Sequence, residues 1–216
     1  MRFADRADAG RRLARALVDY RNRDPVVLAL PRGGLPVAAE IASALAAPLD
    51  VVLARKIGVP WQPELAMGAL VEGETPPVVR NDEVIRSAGI DEPDFEAARV
   101  RALSELEDAR RRLVGDRLRA VIAGRAVILV DDGIATGATA LAALRSIRRR
   151  GASTLTLAVP VASAEALAAL KREVDDLVCL EAPAHFGAVS AFYADFRQVE
   201  DEEAAVILAR FSSAAP

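Results

Sequence analysis

The stretch VILVDDGIATGAT, residues 127–139, decides how this chain is read. Its four apolar residues, Val127 to Val130, have the continuous hydrophobicity of a strand buried on both faces. Two acids follow, then a loop of small residues, and a helix opens near Ala140. The same strand, turn and helix order recurs outward from it. Val26–Leu30 runs into Pro31-Arg32-Gly33-Gly34 and an Ala-rich helix from Leu35 to about Ala46, while Asp50–Ala54 and Ser153–Val161 are further strand candidates. Alternation of this kind builds an α/β fold with right-handed crossovers, here a mostly parallel sheet of about four or five strands flanked by helices.

Three regions sit beside that frame. Phe3, Leu13, Ala14, Leu17 and Val18 fall at helical spacing, so the first twenty residues are expected to form one amphipathic helix, stopped by Asn22 to Pro25. Between Lys56 and about Asn81 the density of Gly and Pro predicts a long loop carrying at most a short hairpin. From about Pro93 to Val121, arginines interleaved with acids predict a charged helix whose i,i+4 pairs face solvent. The whole of 1–216 is expected to be one domain, with the loop and this helical segment inserted at about 56–121.

Composition narrows the function. The 28 Lys+Arg against 31 Asp+Glu leave a net charge of −3, too little basic excess for a nucleic-acid footprint. One Cys and one His exclude an internal disulfide and a thiolate or imidazole zinc cage. No apolar run reaches the roughly 18 residues of a membrane span, and the N-terminus reads as neither signal nor transit peptide. A cytoplasmic location is expected, with no membrane partner. At 52% apolar but with only six Phe, two Tyr and one Trp, the core must be aliphatic.

Residues 131–139 carry the chemistry. Gly133 and Gly137 let the backbone approach a ligand closely, and the orphan N–H groups of the following helix point outward at its positive dipole end. With the hydroxyls of Thr136 and Thr139, and small Ala135 and Ala138 beside Ile134, this makes an anion cradle of phosphate size. Asp131 and Asp132 would repel an anion, so their natural partners are sugar hydroxyls or a divalent cation. A phosphorylated sugar satisfies both halves. No Gly-Lys-Ser/Thr follows the loop and no GxGxxG is present, which excludes the triphosphate and dinucleotide turns.

This loop resembles the thirteen-residue signature of type I phosphoribosyltransferases, which bind 5-phosphoribosyl 1-pyrophosphate (PRPP). The order LPRGG, RKIGVP and DDGIATGAT extends the likeness over roughly residues 26 to 200, to bacterial members similar to the purine-salvage group. The resemblance implies Mg2+-dependent transfer of ribose 5-phosphate to a nitrogenous base with release of pyrophosphate, in a nucleotide-salvage enzyme that is usually a homodimer. It implies that Arg32, Gly33 and Gly34 bind pyrophosphate, and a guanidinium beside glycines suits phosphate oxygens. It places Arg55 and Lys56 at the end of the next strand near the pyrophosphate, Arg32 and Lys56 being the catalytic cations. Asp131 and Asp132 would hold the ribose hydroxyls and the metal, and Ala135 to Thr139 the 5′-phosphate. The segment after Lys56 stands where the family has its flexible lid, with Trp61 either packing at its hinge or joining the closure. Related 6-oxopurine enzymes carry an aspartate where this loop has Ala135, which is like the adenine version and offers no general base.

The acceptor would lie under a C-terminal hood at about 182–200. Phe186, Phe192, Tyr193 and Phe196 either stack on a base there, with Asp195 accepting from an exocyclic amine, or cap the sheet edge. His185 is expected at the surface, and Cys179 in a buried strand without a redox role. Since fold does not settle function, a non-catalytic PRPP-sensing protein is the alternative to an enzyme.

Overall fold

The computed structural model describes residues 2–72 and 78–211. Helix α1 (Arg6–Ala16) leads into a 3-10 turn, Val18–Arg23, and then into β1 (Val26–Ala29), α2 (Gly34–Leu45) and β2 (Leu49–Val51). An insertion follows, holding β3 (Ala54–Val59), β4 (Gln62–Val71), β5 (Val78–Arg80), α3 (Asp82–Ser87) and α4 (Glu92–Leu113). The α/β alternation then resumes with β6 (Ala126–Val130), α5 (Ala138–Arg149), β7 (Thr154–Val161), α6 (Ala164–Leu170), β8 (Asp176–Glu181) and α7 (Asp201–Ala209).

The five core strands are parallel in the order β2-β1-β6-β7-β8, with Val26 opposite Val127 and Val127 opposite Leu155. The expected α/β architecture is therefore present. Its central strands are buried on both faces because helices cover both, and the core is aliphatic: Val27, Leu28, Ile128 and Leu129 are all at most 1% exposed. Burial of each such side chain contributes about 1.5–3 kcal/mol. Among the described residues no helix is long and apolar enough to cross a membrane.

Four expectations need correction. The loop expected at 56–81 is a three-stranded antiparallel sheet in the order β3-β4-β5. Its glycines are points of close strand approach: a Cβ on Gly68 would lie 2.8 Å from the Val79 carbonyl, and one on Gly58 would lie 2.4 Å from that of Pro63. Residues 73–77 of that expectation lie outside the described residues. The parallel strand expected at Asp50–Ala54 ends at Val51, and Ala54 already belongs to β3, so Arg55 and Lys56 lie on the antiparallel sheet. The N-terminal helix begins only at Arg6, where Asp5 caps it by accepting from the Asp8 N–H, and buried Phe3 instead bridges to Tyr193.

The charged helix stops at Leu113 rather than Val121. Beyond it the backbone turns so that Arg119 reaches two buried acids, Asp50 at 2.9 Å and Glu72 at 2.6 Å, while the Ala120 N–H also donates to Asp50. That network fastens the end of β4, which carries Val71 into Glu72, to the edge strand β2. Ala69 and Val71 of the small sheet pack into the same apolar cluster as Leu144 of α5. Both sheets thus share one core.

Candidate active site

β6 delivers Asp131 and Asp132 to the C-terminal edge of the parallel sheet, where ligands of such sheets bind. The turn after β1 is pressed against them. A Cβ on Gly33 would sit 2.1 Å from Asp132 Oδ2, and one on Gly34 would sit 2.9 Å from the Val130 carbonyl and 3.1 Å from Asp131 Cα. Only glycines let these two loops share the space. The Pro31–Arg32 peptide within the turn is cis.

The Asp131 carboxylate accepts the Asp132 N–H at 2.9 Å. Burial, and then the charge of Asp132, push the Asp131 carboxyl well above its ordinary range; burial raises Asp132 as well, against the pull of Arg6. Arg6 is the residue that sequence reasoning missed. From the first turn of α1 its Nε donates to Asp132 Oδ2 at 2.7 Å, its Nη1 donates to the Arg197 carbonyl at 2.7 Å, and its guanidinium lies 3.9 Å over the Phe196 ring. The two side chains are only 11% and 14% exposed, so water screens the pair weakly. No local motif marks Arg6; its surroundings come from elements far along the chain.

Beyond the acids, Ile134 is locked to β7: its N–H donates to the Val161 carbonyl, and its own carbonyl accepts from Ser163. Gly137, at φ +80°, turns the chain into α5. The N–H groups of Ala135, Thr136 and Gly137 find no partner among the described residues. With the first turn of α5, which begins at Ala138, they form a row of donors at a helix start. Thr139 opens from this loop onto a cavity of about 550 Å³ that is also lined by Pro31, Arg55, Lys56, Arg101 and Glu105. The structure thus brings Thr139, Arg55 and Lys56 together, and adds two residues of α4 that had been expected only to face solvent. Lys56 Nζ pairs with Glu64 at 2.9 Å, and the buried Nε of Arg55 has no hydrogen-bond partner. Arg32 directs its Nη1 at Asp201 at 3.2 Å.

A phosphoribosyl transferase domain matches residues 3–197 of this chain. The chain belongs to that family. Two Mycobacterium tuberculosis proteins, of strains CDC 1551 and H37Rv, provisionally named phosphoribosyl transferases, are 46% identical to it over 208 residues, 96% of its length. The chain spans about half, 46%, of the length of these curated relatives. The crystal structure of TT1426 from Thermus thermophilus superposes with a TM-score of 0.84 at 43% identity, covering 99% of this chain and all of that one.

The C-terminal segment of this phosphoribosyl transferase domain builds the wall behind the acids. Tyr193 is 1% exposed, with its ring 5.3 Å from that of Phe3, and its hydroxyl donates to the Asp132 carbonyl at 2.5 Å. It has no face open to a base; burial keeps its hydroxyl protonated by raising its pKa. Val189 packs so tightly on Gly133 that a Cβ there would come within 2.4 Å of it. Phe186 and Phe192 stack on each other at 5.7 Å, each half-buried. Asp195 is exposed and accepts the Arg197 N–H at 3.0 Å. His185 and Trp61 are exposed, and Cys179 on β8 is half-buried, its thiol pushed up by burial.

Proposed function

We propose that this domain transfers ribose 5-phosphate from PRPP to a nitrogenous base and releases pyrophosphate. One observation carries the reading: two half-buried carboxylates and a row of unpartnered N–H groups stand side by side on one β-strand-to-helix loop, clamped by the Gly33-Gly34 turn. Asp131 is the acceptor for ribose hydroxyl protons. Asp132, held by Arg6 at one oxygen, stands next to it. The 5′-phosphate takes the N–H groups of Ala135 to Thr139, and the helix dipole of α5 favours its charge.

Loss of pyrophosphate from the anomeric carbon leaves positive charge on the ribose ring and negative charge on the departing group. Catalysis by this chain is then electrostatic: Lys56 and Arg55 lie where they neutralise the leaving group, and the acids lie where they face the cationic sugar. The orphaned Nε of Arg55 supports that assignment, since a buried unpaired donor costs about 1–3 kcal/mol until a partner arrives. Arg32 contributes its backbone and the glycine turn, its guanidinium being engaged with Asp201.

Among the described residues no three His, Cys, Asp or Glu side chains converge on a point that could hold a metal. Two adjacent carboxylates nevertheless fit Mg2+, which binds one or two carboxylates together with substrate phosphates. Asp131, with no cation on it, is the better donor, and Asp132 the second. The ion would supply charge neutralisation at the pyrophosphate and ribose oxygens.

The test is pyrophosphate release from PRPP across a panel of purine and pyrimidine bases, with PRPP binding followed by calorimetry. Turnover with one base, together with loss of PRPP binding in D131N and D132N, supports the reading. Intact PRPP binding with no release on any base instead makes the domain a PRPP sensor.

A further inference from the structure

Helix α5 starts at the proposed phosphate loop, and its 12 residues carry it about 18 Å to the opposite edge of the parallel sheet. There its last turns and the connection between α6 and β8 enclose an open hollow of about 440 Å³. Arg145, Arg148 and Arg149 line it from α5, and Arg172 lines it from the connection, beside Glu173, Val174 and Asp175. Both acids are committed. Glu173 Oε1 accepts from Arg145 Nε at 3.1 Å and Nη2 at 2.6 Å, and this pairing holds its carboxyl below the ordinary range. Asp175 Oδ2 accepts the Leu155 N–H at 2.7 Å and Arg148 Nη2 at 3.0 Å, and these bonds, the backbone one first, lower its carboxyl as well. The acids thus act as struts that fix two guanidiniums. Arg149 and Arg172 are exposed, and neither guanidinium has a partner among the described residues. The helix dipole favours cations at the end of α5, which accounts for Arg148 and Arg149. It does not account for Arg172, which comes from another element to the same hollow.

We infer that this hollow, at the far end of α5 from the candidate active site, binds a short polyphosphate chain, either free or as the tail of a nucleotide. Four guanidiniums against two carboxylates leave a local excess of two positive charges in a chain whose net charge is −3. A chain of linked phosphates brings several negative charges in a few atoms, and guanidinium forks match its oxygens bidentately. The volume lies within the usual range of small-molecule sites, about 300–1,000 Å³, and leaves room for more than one phosphoryl group. Val174 is the one apolar side chain in the lining, so a nucleobase finds no platform there and recognition rests on the phosphates. None of these residues belongs to the proposed transferase site. The inference therefore stands whether or not PRPP is the substrate at the other end of α5.

The experiment is calorimetric titration of the full chain with sodium tripolyphosphate, without divalent cations and at constant ionic strength. R149Q and R172Q alter exposed side chains, so the fold is expected to survive them, and each should weaken one tripolyphosphate about tenfold, the worth of a lost charge-assisted bond. E173Q, which releases Arg145 from its strut, is expected to tighten it. R111Q removes the same charge from an exposed position on α4 and should change nothing. ATP is expected to bind at this site like tripolyphosphate, and adenosine not at all. PRPP binding should be the same in R149Q, R172Q and the wild type. The inference is overturned if the R149Q/R172Q double variant titrates as the wild type does, or if R111Q weakens the anion equally, which would make the effect one of overall charge. It is overturned too if a short poly-glutamate peptide binds as tightly as tripolyphosphate, or if R149Q and R172Q lose PRPP in step with it. A chain that holds the Arg149-dependent anion but binds no PRPP would sink the transferase reading alone.

Discussion

Arg6 and Asp132 meet at 2.7 Å across 126 positions of sequence, and this contact fixes a helix from the N-terminus to the acidic loop of β6. The pair is nearly buried, so removing the cation leaves a carboxylate in a poor solvent with its charge uncompensated. R6Q is expected to lower stability in urea by about 3 kcal/mol, the low end for a broken buried pair. It should also weaken PRPP binding by tenfold or more, because Asp132 loses its orientation. R6K keeps the charge without the planar fork and should fall between. An R6Q protein with an unchanged urea midpoint would show that the pair contributes nothing.

The glycine clamp makes a sharper demand. At Gly33 a single methyl would stand 2.1 Å from Asp132 Oδ2, so G33A must push the carboxylate out of its place. Overpacking of this kind costs about 1–3 kcal/mol in stability. The larger effect is expected on function: PRPP affinity should drop at least tenfold while the circular dichroism spectrum stays that of the wild type. G89A is the control, since nothing lies within 4 Å of a Cβ there; its φ of +66° predicts a small stability loss and no change in PRPP affinity.

Much of this architecture is legible in the sequence because the parallel strands announce themselves. Val26–Ala29 and Ala126–Val130 are unbroken apolar runs, and the loops that follow them hold the residues that meet at the sheet edge. The antiparallel sheet is hidden because Gly58, Gly68 and Pro63 read locally as punctuation, whereas in the fold they are where strands pack closest. Arg6 and Arg119 carry no signal, since an arginine in a charged segment looks the same whether it faces water or a buried acid 126 or 69 positions away. Tyr193 stands out by its rarity, but its ring turns inward: Phe3, placed by the sequence inside a helix, is the neighbour that buries it.

Acid should weaken the helix that presents Arg6. Asp8 accepts the Ala4 N–H and pairs with Arg12, and these bonds, the backbone one first, hold its carboxyl below the ordinary value of 3.8. A depressed pKa contributes stability that is complete above the unfolded value and is lost as pH falls through the lower folded value. The melting temperature of D8A is therefore expected to lie below that of the wild type by a few degrees from pH 5 to 7, the size of one lost cap. The gap should begin to close below pH 3.8 and vanish once pH has fallen through the lower folded value, where the wild-type carboxyl is protonated too. A gap that stays constant down to pH 3 would mean that Asp8 acts through packing rather than charge.

Arg119 is expected to be the most sensitive position outside the loops. Asp50 is 1% exposed and Glu72 9%, and Arg119 bonds to both while also donating to the Val51 carbonyl. Arg117 adds a weaker contact to Asp50 at 3.3 Å, too long to replace it. R119M leaves Asp50 and Glu72 with backbone N–H donors and the longer Arg117 contact but without the guanidinium that joins them, and should cost about 3–5 kcal/mol in urea denaturation. Pairing it with D50N and E72Q removes the charges along with their cation, and much of the loss should return, since an ion network replaced as a unit is often close to neutral. The double-mutant cycle between Arg119 and Glu72 reads the coupling directly. Because Glu72 ends the strand that carries the small sheet onto β2, R119M should also loosen Lys56 and Arg55 over their cavity. That loosening would appear as faster amide exchange along β3 and β4 than along β6, whereas uniform exchange over both sheets would place the defect in the core.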